Sequence, residues 1–166
     1  MRGLLRETHG LAQPLVSNAG LAFELDLPGE DIVLETDRRR VTQVVLNLVA
    51  NAAKYNREGS FVRLSASAEA DRLVVCVEDD GPGVDAADRA RLFTAFDRLG
   101  QQKRGKIEGT GLGLALSKSL VESMGGEIGY APREPGARFW FSLPRHAARV
   151  PEAADNELQK DEDRIA

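Results

Sequence analysis

Three short segments of this chain carry side chains and glycines that could bind a nucleotide, and they follow one another in a fixed order. The first, 47–55, reads NLVANAAKY, the second, 77–84, reads VEDDGPGV, and the third, 109–118, reads GTGLGLALSK. They supply an amide-rich helix face, a carboxylate on a glycine turn, and a glycine-rich entry to a helix. Together these groups indicate a site for a base, a metal ion and phosphates.

Asn47 and Asn51 stand one helical turn apart, with Lys54 a turn further on, so the three share one face of a predicted helix. An asparagine amide oxygen can bind a hard cation, and Mg²⁺ takes one or two protein oxygens when phosphates and water complete its shell. Two asparagines on one helix face favour a function, because asparagine is a poor helix former. We predict Asn51 as the first metal ligand and Asn47 as the second.

Asp79 follows a predicted strand and precedes Gly81 and Gly83, which would let the backbone approach a ligand closely. An ionised carboxylate only accepts hydrogen bonds, and adenine offers an amino donor where guanine offers a carbonyl. A carboxylate facing that carbonyl would be left unpaired, so Asp79 predicts selection of adenine. Taken alone, this segment could also be an ordinary turn between strands.

The glycines at the third segment precede a helix, where free amides and the helix dipole favour phosphate. The spacing is G-x-G-x-G and Leu114 follows, so the dinucleotide-binding fingerprint does not fit. We predict that five residues here contact the nucleotide: Gly109, Thr110, Gly111, Leu112 and Gly113.

A polar, basic stretch lies just before these glycines and contains a false phosphate-binding motif. Gly100, Gly105 and Lys106 match the P-loop spacing, but Ile107 replaces the required hydroxyl residue and no strand precedes the motif. Arg98 is a better candidate, because a guanidinium can bind phosphate oxygens through two parallel hydrogen bonds.

Two helices and several strands must hold these segments in place. Thr36 or Asp37 can cap a helix that begins near Arg38. Its apolar stripe consists of Val41, Val44, Val45, Leu48, Val49 and Ala52. A second helix begins after Gly113, ends at Gly125–Gly126, and is predicted to pack through Leu116, Leu120, Val121 and Met124.

Alternating apolar and polar residues predict strands at 22–27, 61–68, 72–77, 127–130 and 138–143, with a shorter candidate at 32–34. Residues 1–20 are predicted to be a short helix end and a linker, because Gly10, Pro14 and Gly20 interrupt the helical spacing. A short helix is predicted to reach Phe96, with Phe93 and Phe96 anchored in the core. The expected fold is an α/β two-layer sandwich, a mixed sheet with helices on one face.

Composition bounds the function further. The 166 residues suit one domain, and 42% hydrophobic with 29% charged residues is typical of soluble proteins. There is no secretory signal and no apolar run of roughly 18 residues, so a cytoplasmic location without a membrane span is expected. Cys76, the single cysteine, is expected to be a buried thiol.

Charge is distributed unevenly along the chain. Residues 151–166 hold six acidic and two basic side chains, which equals the net charge of −4 and leaves 1–150 neutral. A neutral body gives no electrostatic reason to bind nucleic acid. We predict a helix remnant and linker at 1–20, an ATP-binding catalytic domain at 21–146 and an acidic, disordered tail at 147–166.

These motifs, in this order, resemble the ATP-binding catalytic domain of bacterial sensor histidine kinases, within the superfamily of DNA gyrase, mismatch-repair and heat-shock chaperone ATPases. The segment at 47–55 is similar to that family's asparagine box, DDGPG to its first glycine box, LFTAFDRLG to its phenylalanine box, and GTGLGLALSK to its second glycine box. The resemblance covers roughly residues 20–145 and implies the Bergerat-type sandwich.

The resemblance also implies roles for individual residues, with ATP and Mg²⁺ as cofactors. Asn51, assisted by Asn47, would hold Mg²⁺, Lys54 would meet phosphate, and Tyr55 would pack near adenine. Asp79 would accept from the adenine amino group, beside Gly81 and Gly83. Arg98 would approach the γ-phosphate, and the glycines from Gly109 to Gly113 would hinge a lid.

Kinases of this family phosphorylate a histidine on a helical dimerisation domain and pass the phosphoryl group to a response regulator. His9 and His146 lack the acceptor's neighbours and are expected to lie on the surface, so the acceptor would come from another domain or chain. The isolated domain is expected to be monomeric. Two alternatives stay open: an anti-sigma-type serine kinase and binding protein, and a non-catalytic nucleotide-binding adapter.

Overall fold

The computed structural model describes residues 1–57, 60–69, 71–97 and 111–145. Eight elements follow one another in these ranges: α1 (Arg2–Asn18), β1 (Ala22–Asp26), α2 (Arg38–Tyr55), β2 (Phe61–Glu69), β3 (Arg72–Asp79), α3 (Gly113–Ser123), β4 (Glu127–Pro132) and β5 (Ala137–Pro144). In the described part of the segment between β3 and α3, residues Arg89–Arg91 form a 3-10 turn. The five principal strand predictions are confirmed, with ends that differ by one or two residues.

The strands form one mixed sheet in the order β1-β2-β3-β5-β4. β1 runs parallel to β2, and the other neighbours are antiparallel. The predicted hairpin of β2 and β3 is confirmed, with Val62 opposite Asp79. Buried residues alternate with more exposed ones along β2 and β3, so the helices cover one face of the sheet and the sandwich forms as predicted.

α2 is the central helix of the core. Asp37 caps it, because its Oδ1 accepts from the backbone N–H groups of Arg39 and Arg40 at 2.9 and 3.2 Å. Every residue of the predicted apolar stripe is buried. Asn47 and Asn51 lie on a different face of the helix, and both are half-buried.

The prediction of a short helix end and linker in residues 1–20 is wrong. α1 is continuous for 17 residues and contains Pro14. Its buried apolar side chains, Leu4, Leu5, Ala12 and Val16, belong to the same core as those of α2. Packing of this face outweighs the hydrogen bond that proline removes.

Four further predictions about individual elements are wrong. Residues 32–34 form no strand; Ile32 is buried, and its carbonyl accepts from the Met1 amino group at 2.8 Å. The helix predicted to reach Phe96 shortens to the 3-10 turn, and Phe96 is 75% exposed. Leu116 is 51% exposed, because Ser117 and Val121 take the buried positions of α3.

The expected solvent exposure of two residues is also corrected. Cys76 is half-buried, because it lies on the face of the sheet turned away from the helices. His9 is half-buried and not on the surface, since its ring stacks on Phe23 with 4.0 Å between ring centroids. His146 lies outside the described residues.

On the sheet face away from the helices, four charged side chains stand in one row across four strands. The row is Glu24, Arg63, Glu78 and Arg138, one residue from each of β1, β2, β3 and β5. Glu24 and Arg63 approach to 2.7 Å, and Glu78 and Arg138 to 2.5 Å. The row links strands that are distant in sequence. Its member on β3, Glu78, directly precedes Asp79.

Candidate functional site

Asp79 places a buried carboxylate at the end of β3. Its side chain is fixed by the turn that follows, because Oδ1 accepts from the Gly81 backbone N–H at 2.9 Å. The residue is only 6% exposed. Burial raises the pKa of Asp79, and the neighbouring Asp80 adds to the rise, while the Gly81 hydrogen bond and Arg133 oppose it.

Asp80, which the sequence argument passed over, anchors the same turn from the other side. Its Oδ1 accepts from the Phe61 backbone N–H at 3.1 Å and from the Asn56 amide at 3.4 Å. Partial burial alone would raise the pKa of Asp80, but these hydrogen bonds outweigh it and the pKa is lowered. The pKa values of the two adjacent aspartates are therefore shifted in opposite directions, a difference that the sequence alone does not predict.

The glycines around Asp79 allow backbone segments to meet without side chains between them. A Cβ on Gly81 would lie 2.8 Å from the Asp79 Oδ1 and 3.3 Å from the Tyr55 carbonyl oxygen. Gly83 has a φ of +67°, and a Cβ there would lie 2.8 Å from the carbonyl oxygen of Gly136. The end of α2, the turn after β3 and the turn between β4 and β5 therefore converge on this point.

Asn47 joins α2 to the entry of α3. Its Nδ2 donates to the carbonyl oxygen of Gly113 at 2.5 Å and to the Ser117 hydroxyl at 2.7 Å. These two bonds fix the amide, so that Oδ1 is the group left to accept a donor or bind a cation. A Cβ on Gly113 would lie 2.5 Å from that Oδ1, which explains why a glycine begins this helix.

The other predicted residues of α2 follow the expected face. Asn51 is half-buried one turn beyond Asn47. Lys54 is exposed, and its Nζ lies 5.1 Å from the ring centroid of Tyr55. The structure thus arranges amide groups, an ammonium group and an aromatic ring along one helix that ends beside the Asp79 turn.

Of the five glycine-segment candidates for phosphate binding, the structure describes Gly111, Leu112 and Gly113. Gly111 has a φ of +71° and its carbonyl oxygen accepts from the Phe96 N–H at 3.1 Å. A Cβ on Gly111 would lie 3.1 Å from the Phe96 carbonyl carbon, so a side chain would be both strained and crowded there. Leu112 is 37% exposed. Arg98, Gly109 and Thr110, together with the false motif at 100–107, lie outside the described residues.

A buried carboxylate at a strand end, an amide-bearing central helix and a glycine-rich helix entry, all on a mixed sheet, define a nucleotide-binding domain of the ATPase α/β-sandwich class. The family model described as "Histidine kinase-, DNA gyrase B-, and HSP90-like ATPase" matches residues 36–147. The chain belongs to this family. The fold and the family resemblance predicted from sequence are both confirmed.

Comparison with individual relatives narrows the class. The sensory/regulatory protein RpfC of Xanthomonas campestris pv. campestris is 39% identical over 152 residues, covering 87% of this chain and 21% of that protein. The catalytic domain of histidine kinase ThkA superposes with a TM-score of 0.78 at 28% identity, covering 89% of this chain and 93% of that one. Full-length ShkA in complex with AMPPNP superposes with a TM-score of 0.74 at 35% identity, covering 88% of this chain and 30% of that one.

These similarities identify a catalytic ATP-binding domain of the sensor histidine kinase type. A further ThkA structure, in complex with the response regulator protein TrrA, gives a TM-score of 0.73 at 27% identity, covering 87% of this chain and 40% of that one. The chain spans about a fifth of the length of the curated relatives it matches. No helix within the described ranges is long and apolar enough to cross a membrane.

Proposed function

We propose that this domain binds ATP with Mg²⁺ and presents the γ-phosphate to a histidine carried by a helical dimerisation domain, from which a response regulator takes the phosphoryl group. The observation that carries the proposal is the Asp79 carboxylate, which is buried at a strand end and flanked by Gly81, Gly83 and Gly136. A base that offers an amino group can dock there edge-on. Burial makes an unmatched partner costly, so the same arrangement disfavours guanine.

The metal would be held from α2. Asn47 has its Nδ2 committed to α3, which leaves Oδ1 as an oxygen ligand, and Asn51 offers a second amide one turn away. Amide oxygens together with phosphate oxygens are a donor set that Mg²⁺ accepts. When bound, the metal supplies charge neutralisation at the polyphosphate.

The chain's own residues would contribute positioning and charge. Lys54 would pair with phosphate, Tyr55 would pack beside the base, and Arg98 would approach the γ-phosphate. The entry residues Gly109, Thr110, Gly111, Leu112 and Gly113 would bring backbone N–H groups to the phosphates. The domain would work in the cytoplasm, because ATP and response regulators act there, and its catalysis would rest on orientation.

Asp79→Asn tests the proposal by isothermal titration calorimetry. Wild-type protein should bind Mg-ATP and bind Mg-GTP much more weakly. The variant should lose about 10- to 100-fold in affinity for Mg-ATP, the effect of losing a hydrogen bond to a charged acceptor. Asp71→Asn, an exposed aspartate at the other end of β3, is the matched control. Absence of Mg-ATP binding to folded wild-type protein, or equal binding by Asp79→Asn, would refute the proposal.

A labelling experiment separates the transfer step from binding. With γ-labelled ATP the chain alone should remain unlabelled, and an added helical dimerisation domain should be labelled on histidine. His9 is a poor acceptor, because its ring is stacked on Phe23. Stable phosphohistidine at His9 or His146 would contradict this step, and labelling of an added protein on serine would favour the anti-sigma-type alternative.

A further inference from the structure

The turn between β4 and β5 packs directly against the strand end that carries Asp79. Gly136 in this turn has a φ of +112°, and a Cβ on it would collide with the Asp79 carbonyl oxygen. The Arg133 guanidinium lies over the Phe61 ring, 5.3 Å from its centroid, and its Nη1 donates to the carbonyl oxygens of Asp79 at 3.4 Å and Pro135 at 3.3 Å. Arg133 is therefore held between an aromatic ring and the backbone of the site.

The charges that face Asp79 come from several elements. Its own turn brings the negative Asp80, and the β4–β5 turn brings the positive Arg133. The neighbouring strands place neutral residues opposite it, Val62 on β2 and Ala137 on β5. The next residues along those strands, Arg63 and Arg138, are paired with Glu24 and Glu78.

The end of α2 completes the surroundings of the Asp79 turn. It contributes the Tyr55 carbonyl and the neutral side chain of Asn56, both close to Gly81. Lys54 is exposed and lies over the Tyr55 ring. Among the described elements that pack on Asp79, Arg133 thus supplies the positive charge that favours an ionised carboxylate over a protonated one.

We propose that Arg133 is a positioning residue of the nucleotide site, which fixes the Asp79 end of β3 and keeps its buried carboxylate in the ionised, hydrogen-bond-accepting form that adenine requires. This inference rests on the proposed function for its ligand. The contacts of Arg133 are with the carbonyl oxygens of Asp79 and Pro135 and with the Phe61 ring, so its effect on the nucleotide would pass through Asp79. No part of the four sequence motifs contains it, since it lies beyond the second glycine box.

The charge and the packing of Arg133 have different consequences that can be measured separately. Loss of the charge lets burial raise the pKa of Asp79 further, so protonation weakens the acceptor at a higher pH than in the wild type. Loss of packing alone would weaken binding by the same factor at every pH. The slope of affinity against pH therefore distinguishes the two.

The experiment compares Mg-ATP affinity over a pH series, from about pH 5 to about pH 8, in the wild type, Arg133→Met and Arg133→Lys. We expect the affinity of Arg133→Met to fall progressively below that of the wild type as pH decreases through the series, and to approach the wild-type value at the highest pH. Arg133→Lys should restore the wild-type pH profile. Arg63→Met is the matched control, because its guanidinium also lies 5.3 Å from the Phe61 ring but pairs with Glu24.

A second measurement needs no nucleotide. The carboxyl ¹³C resonance of Asp79 should titrate at higher pH in Arg133→Met than in the wild type or Arg63→Met. Parallel pH profiles together with an unchanged Asp79 titration would overturn the role of Arg133. If the wild type binds no ATP while the titration shifts as expected, the proposed function fails and the coupling of Arg133 to Asp79 stands.

Discussion

The amide nitrogen of Asn47 lies 2.5 Å from the carbonyl oxygen of Gly113, so the central helix and the glycine-rich helix entry are joined by a direct hydrogen bond. The same amide reaches Ser117, one turn further along α3. Two of the three sequence motifs are therefore one structural unit. The residue proposed to bind the metal also sets where the proposed phosphate-binding amides stand.

Gly113→Ala should disturb this unit. The new Cβ would lie 2.5 Å from the Asn47 Oδ1, so α3 or the amide must shift. We expect about a tenfold loss of Mg-ATP affinity and a fall of about 1–3 kcal/mol in the free energy of unfolding, as for other overpacked sites. Calorimetry and urea unfolding measure the two effects.

Gly10→Ala is the control for that substitution. It also places alanine in a helix, but a Cβ at Gly10 meets nothing within 4 Å. The control should keep full affinity and gain up to about 1 kcal/mol of stability from helix propensity. If both variants bind Mg-ATP as well as the wild type, the contact between Asn47 and Gly113 does not shape the site.

The sequence was a good guide where one local rule decided the outcome. The cap predicted at Thr36 or Asp37, the buried stripe of α2 and the β2–β3 hairpin each depend on patterns within a few residues. Each is confirmed, with Asp37 as the capping residue. Asp79 was singled out for the same reason, because a carboxylate before two glycines is a local signal. Its role as the adenine-binding residue stays a prediction.

Sequence reasoning failed where a contact distant in the chain decided the outcome. Pro14 reads as a helix breaker, yet packing of α1 on α2 keeps the helix intact. Phe96 reads as a core anchor, yet its N–H bonds to Gly111 and holds φ at +62°, which leaves the ring exposed. Arg133 donates to the carbonyl oxygen of Asp79, which lies 54 residues earlier in the sequence. No local spacing rule predicts a contact between residues so far apart.

In the charged row on the sheet face away from the helices, the two ion pairs should have different coupling free energies. Glu78 is 7% exposed as a side chain and pairs with Arg138, which is 50% exposed, whereas Glu24 and Arg63 are 48% and 38% exposed, so only the first pair has a buried member. A double-mutant cycle of Glu78→Gln with Arg138→Met should give a coupling of about 1–3 kcal/mol. Glu24→Gln with Arg63→Met should give about 0–1 kcal/mol.

Urea unfolding at low salt measures both cycles. High salt should reduce the coupling of the exposed Glu24–Arg63 pair more than that of Glu78–Arg138, because burial of the Glu78 carboxylate limits screening by water and ions. Equal coupling in the two cycles would show that burial does not set the strength of these pairs.

Asp37→Ala should weaken the N-terminal end of α2. The substitution leaves the Arg39 and Arg40 N–H groups without their acceptor, at a cost of about 1 kcal/mol in the free energy of unfolding. Asp71→Ala, at an exposed turn position, should change stability by less than about 0.5 kcal/mol. The capping interpretation would be wrong if the two alanine variants unfolded at the same urea concentration.

Asp79 and Asp80 should respond to pH in opposite directions, although they are neighbours. Burial raises the folded-state pKa of Asp79, so in the window between its unfolded and folded pKa values the native state binds more protons than the unfolded chain. The free energy of unfolding therefore falls as pH rises through that window. Ionised Asp79 costs stability at neutral pH, so Asp79→Asn should raise the melting temperature without nucleotide. The same variant should reduce the further increase that Mg-ATP gives the wild type, because it binds the nucleotide more weakly.

For Asp80 the free energy of unfolding changes with pH in the opposite direction. Its folded-state pKa is lowered, so its contribution to stability is present above the unfolded pKa and is lost as pH falls through the folded pKa. Asp80→Asn should lower the melting temperature at neutral pH, and the difference from the wild type should shrink on acidification. Melting curves of the three proteins from neutral to acidic pH test both signs at once. A lower melting temperature for Asp79→Asn at neutral pH would mean that its carboxylate stabilises the fold, which would remove the argument that this charge is kept for a ligand.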